Sequence, residues 1–113
     1  MSDWTMKQHD TLPSIQATLS TLAGPVDLTA AVSIKFIMSL RTPVGSTPKV
    51  NAAATMIAPL TSGVVQYDWI ATDVDTVAEY SGEWQVIWPG NKKQTFPTET
   101  YHTISIIGDL DLA

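Results

Sequence analysis

Cysteine is absent from the 113 residues, which excludes a disulfide framework, a thiol nucleophile and a thiolate metal site. Basic residues are few: six Lys and Arg stand against eleven Asp and Glu, and no basic cluster exceeds the Lys92-Lys93 pair. A phosphate backbone needs a concentrated basic face, so nucleic acid is not expected as a partner, and an anionic membrane surface is disfavoured for the same reason. The longest apolar runs fall far short of a membrane span. The polar start, Met1-Ser-Asp-Trp-Thr-Met-Lys-Gln-His-Asp10, lacks the apolar stretch of a signal peptide, so the chain is expected to be made in the cytoplasm and to stay soluble. Gly-rich phosphate loops, a Gly-x-Ser-x-Gly elbow and His-x-x-x-His or His-Glu-x-x-His pairs are also missing.

What is present is a strand pattern. The length suits one domain with one core, and a hydrophobic content of 44% is ordinary for a globular chain. Residues 13–20 alternate, with Ile15, Ala17 and Leu19 facing one way and Pro13 at a first-strand position. Residues 32–40 alternate most cleanly: Val32, Ile34, Phe36, Met38 and Leu40 are expected inward, with Ser33, Lys35 and Ser39 outward. Residues 50–57 fit helix as readily as strand through Ala52-Ala-Ala54; turn signals close on both sides favour a strand. Val65, Tyr67 and Trp69 form the next inward set, residues 71–75 a polar crossing, and Tyr80, Trp84, Val86 and Trp88 another inward set. Pro89-Gly-Asn-Lys-Lys93 reads as a hairpin turn into residues 94–96, and residues 102–107 as a last strand with Ile104 and Ile106 in phase. The expected fold is all-β: a single antiparallel sandwich of about seven strands over residues 13–107, with an arm at 1–12 and a tail at 108–113.

Candidate chemistry is thin. Asp73 and Asp75, with Asp68 just before them, share a loop but lack a calcium-binding loop pattern, so they read as turn formers, and no metal or cofactor is expected. Glu79 and Glu83 lie on one strand face roughly 13 Å apart by strand rise, too far for a glycosidase pair. His9 and His102 have no zinc-ligand context. No enzymatic role is expected. Trp69, Trp84 and Trp88 could stack on sugar rings but fall on the apolar phase, which favours core; Trp88, beside Pro89-Gly90, is the one expected to be partly exposed. Trp4 and Met6, two apolar residues in a polar arm, either cover the chain's own core or dock on a neighbour.

Several segments in order carry a family resemblance: Lys7-Gln8-x-Asp10-Thr-x-Pro13, Ala17-x-Leu19, Val26-Asp-Leu-Thr29, Gly63-x-Val-x-Tyr67-x-Trp69, Asp75-Thr76 with Glu79-Tyr80, Glu83-Trp84-x-Val86 and Thr95-Phe-Pro97. Over residues 7–107 the chain resembles small immunoglobulin-like virion proteins of tailed bacteriophages, a family that includes the N-terminal domain of phage baseplate upper proteins. His9 stands where that family leads one to expect Gly, a departure that bears on the arm's conformation. The baseplate protein also continues into a linker and receptor-protein adapter, so that docking role is not carried over. Ala78-x-Tyr80 after the Asp-rich turn also looks like a tyrosine corner, in which a Tyr hydroxyl pins the start of a strand. The resemblance implies a structural virion component, made in the host cytoplasm. It would join neck, tail, baseplate or capsid subunits, in several copies on a symmetric ring. Trp4, Met6, Trp88, Leu110 and Leu112 are the expected partner contacts. The alternative is a carbohydrate-binding module that recognises host surface glycans through exposed aromatics such as Trp88.

Overall fold

The computed structural model describes residues 4–41, 47–96 and 102–108. The fold is built on two long strands, β5 (Ser33–Leu40) and β9 (Ala78–Trp88), paired antiparallel from Ser33↔Ile87 to Leu40↔Tyr80. Both alternate as their sequences demand: Ile34, Phe36 and Met38 on β5 and Tyr80, Trp84 and Val86 on β9 are fully or almost fully buried. Gly82 continues that inward phase. A Cβ there would meet Ile104 Cδ1 at 2.7 Å and the Phe36 ring at 3.2 Å, so its missing side chain is the space those residues fill.

Around this pair the remaining strands assemble two principal sheets. The larger has the order β1-β11-β9-β5-β6, with β1 (Trp4–Lys7) at one edge, β6 (Val50–Ala53) at the other and β11 (His102–Ile107) beside β9. β10 (Lys92–Phe96) returns from the hairpin along the same edge of β9, at its other end. Between Phe96, opposite Trp84, and His102, opposite Gly82, β9 advances two residues while the returning chain advances six. The smaller sheet has the order β2-β8-β7, from β2 (Ile15–Thr18), β8 (Val64–Tyr67) and β7 (Thr55–Met56). A two-strand ribbon, β3 (Ser20–Thr21) with β4 (Gly24–Pro25), sits apart from both.

One core lies between the two sheets. The Phe36 ring of the larger sheet stacks on Tyr67 of the smaller at 5.2 Å between centroids, meets Trp84 at 4.8 Å and meets Trp69 edge-on at 5.7 Å. Aromatic pairs of this geometry add to the area they bury, so Phe36 is the residue that holds the layers in register.

The architecture is all-β, and among the described residues no α-helix occurs, only 3₁₀ turns at Leu60–Ser62 and Ala71–Val74. Several expectations need correction. Among the described residues eleven strands in three sheets replace about seven: the segments read as single strands at 13–20 and 50–57 each break in two, and β1 and β4 form where no strand was expected. Residues 50–57 make two strands: β6 pairs with β5, then the chain crosses at Ala54 and β7 pairs with β8. The larger sheet is mixed, because β1 runs parallel to β11 from Trp4↔Ile104 to Lys7↔Ile107. Val32 and Leu40 are exposed although in phase. The strands of the facing sheet are at most four residues long, so the ends of β5 overhang it and find nothing to pack against.

Candidate interaction surfaces

The turn between β8 and β9 gathers the three aspartates. Asp73 is buried; its Oδ2 accepts the Tyr67 hydroxyl at 2.6 Å and the Ile70 amide at 3.0 Å. Burial first, and the Asp73 contact second, push the Tyr67 hydroxyl far above the ordinary tyrosine range. Asp68 accepts from Ser14 and Gln66, hydrogen bonds that hold its carboxyl below the usual range. Asp75 accepts from Lys49 Nζ at 2.5 Å and from Thr76, and is lowered by these in that order. Each aspartate thus serves a separate part of the frame. Among the described residues no group of three or more His, Asp and Glu converges as metal ligands would.

The same turn clasps the segment after β1. Gln8 donates to the Asp75 carbonyl at 2.7 Å and its amide to the Ile107 carbonyl, while the His9 amide reaches the Val74 carbonyl. His9 takes φ 69, the left-handed conformation that glycine adopts without strain. The departure noted in the sequence therefore falls at a position whose backbone favours glycine. Tyr80 donates to the Thr76 carbonyl at 2.9 Å, pinning the start of β9 in the manner expected of a tyrosine corner.

The expected contact residues divide. Met6 is 6% exposed and part of the core, so it covers this chain's own core and offers no surface to a partner. The reason is that β1 completes the sheet edge and its inward phase faces the core. Trp4 is half-buried, its indole N–H directed at Met6 Sδ, in a recess of about 260 Å³ with Ile15, Ala17 and His102. Trp88 is half-buried at the end of β9 and donates to Gln94 Oε1 at 3.1 Å. Leu110 and Leu112 lie outside the described residues. Trp69 and Trp84, 4% and 0% exposed, have no face free for a sugar.

Sequence reasoning missed a different set. Of the large apolar side chains that stand exposed, Leu12, Leu40, Ile70, Val77 and Ile107 share one end of the molecule. It is the end where β5 and β11 finish and β9 begins, hereafter the base. Val77 and Ile107 adjoin the pair Ile106↔Ala78 and so come opposite one another on the outer face. A signal was available: both are apolar residues out of phase with the buried series Ile104, Ile106 and Tyr80. Glu79 and Glu83 point outward from β9, and Glu79 is bonded to the Ser105 hydroxyl.

A second surface lies on the outer face of the larger sheet, toward the hairpin end. A recess of about 550 Å³ is lined there by Ser33, Lys35, Asn51, Gln85, Ile87 and Lys93, among others. Lys35 stands beside Gln85 and Lys93 beside Ile87. Among the described residues the ion pair is Lys49–Asp75, and neither Lys35 nor Lys93 has a carboxylate partner.

Compared with known proteins, the chain matches no family model and no curated relative.

Proposed function

We propose that this chain is a non-enzymatic structural protein of a tailed-phage virion. In this reading an immunoglobulin-like sandwich joins neighbouring neck, tail, baseplate or capsid subunits and occurs in several copies on a symmetric ring. The observation that carries the joining role is the base, where Leu12, Leu40, Ile70, Val77 and Ile107 leave apolar surface in water. Grouped apolar exposure of this kind is what a protein contact removes. The immunoglobulin-like reading draws support from strand order. β2-β8-β7 follows the order B-E-D, and β11-β9-β5-β6 follows G-F-C-C′ of variable-type domains. Tyr80 sits near the start of the strand equivalent to F, with its hydroxyl bonded four residues upstream. Gly82 then occupies the place of the second disulfide cysteine of antibody domains, with Phe36 filling the space. The ordered motifs from Lys7 to Pro97 support the virion assignment. Mass spectrometry of purified particles, with the chain located in a cryo-EM map, tests it. Particles complete without this chain would sink the reading.

A second reading, glycan recognition, rests on Trp88, since Trp69 and Trp84 are buried. It is half-exposed, with Gln94 on its indole nitrogen and Lys92 opposite it in register. Titration with cell-wall sugars should quench tryptophan fluorescence if that reading holds and leave it unchanged under the first.

A further inference from the structure

The lysine recess and the base lie at opposite ends of the same sheet, and together they suggest how copies meet. We infer that the recess around Lys35 and Lys93 receives the Asp109-Leu-Asp-Leu112 segment of a second copy of this chain, in a head-to-tail contact. The inference rests on the reading of the chain as a multi-copy joining protein and names the partner of one of its surfaces.

Charge complementarity selects the occupant. Two ammonium groups without a carboxylate partner among the described residues line the recess, in a chain whose net charge is −5. The Lys35 and Lys93 backbones stand two strands and two residues apart, about 12 Å from the strand spacing and rise. Lysine stems can narrow that gap to the ~7 Å between alternate side chains of an extended segment. Asp109 and Asp111 are alternate residues, so an extended segment would present both carboxylates on one face.

Reach decides that the donor is a different molecule. Ile106 pairs with Ala78, whereas the recess lies at Gln85 and Ile87. From the end of β11 to the level of Gln85 is about 27 Å along the strands. Asp111 is four residues beyond Ile107, which spans at most ~14 Å fully extended. A segment leaving the base cannot fold back to its own recess, so the contact joins unlike surfaces. Such heterologous contacts close into rings or run on as files.

Sedimentation equilibrium of the full chain at low salt is the test, with circular dichroism to verify folding. Concentration-dependent association is expected, weakened about tenfold or more by Lys35→Glu with Lys93→Glu, since these side chains are outward. Asp109→Lys with Asp111→Lys should weaken it equally, and the four substitutions combined should restore it. A wild-type chain that stays monomeric to millimolar concentration, or a combined variant that is not restored, overturns the docking. Neither result touches the virion assignment, which particle composition tests separately.

Discussion

Among the described residues Asp73 is the acidic side chain that the core takes in, and its surroundings explain how it is tolerated. Its Oδ2 is shared by a buried hydroxyl and a turn amide, so removing it orphans two donors at once. Asp73→Ala should lower unfolding free energy by about 2–4 kcal/mol, read from urea midpoints, with Asp73→Asn recovering part of the loss. Tyr67 and Tyr80 are both raised, chiefly by burial. Unfolded tyrosine ionises near pH 10, whereas the folded groups keep their protons, so their contribution is complete below about pH 10 and is lost as pH rises beyond it. Urea midpoints should therefore hold from pH 8 to about pH 10 and fall above it, and Tyr67→Phe should shallow that fall; a profile that stays flat above pH 10 would contradict it. At His9 the strain is in the backbone. His9→Gly should gain about 0.5–1 kcal/mol in the same assay, because the left-handed conformation that a side chain opposes is already in place.

At the level of elements, β1 shows most clearly where pattern ran out. Four residues with two apolar positions cannot be told from a loose arm, because the partner that makes them a strand lies about a hundred residues away. Removing residues 1–8 would uncover the β11 edge and take Met6 from the core. Thermal unfolding should then show a loss of at least about 3 kcal/mol, together with faster amide exchange along β11. An unchanged melting curve would mean that β1 is an appendage after all. β5 and β9 were legible because eight and eleven residues of alternation allow no helical alternative. Residues 50–57 were legible only as extended chain. The crossing at Ala54 depends on which sheet each half can reach, and small alanines permit either.

For the whole molecule, the base is the surface to disturb. Val77→Asp with Ile107→Asp should abolish incorporation into particles while leaving the melting temperature within a few degrees, since both side chains already stand in water. Particles that still take up the variant would remove the base from the interface. The sequence by itself determined the class of fold and most of the core, because period-2 alternation and aromatic phase are local properties that survive any choice of neighbour. It also determined that Tyr80 lies close to the turn it pins, four residues being within reach of one side chain. Only the tertiary structure decided the pairing order, the burial of Met6 and Asp73, the exposure of Val32 and Leu40, and the grouping of five apolar residues at one end. Each of those depends on where strands stop relative to a facing sheet, and that is set by packing between segments far apart in the chain.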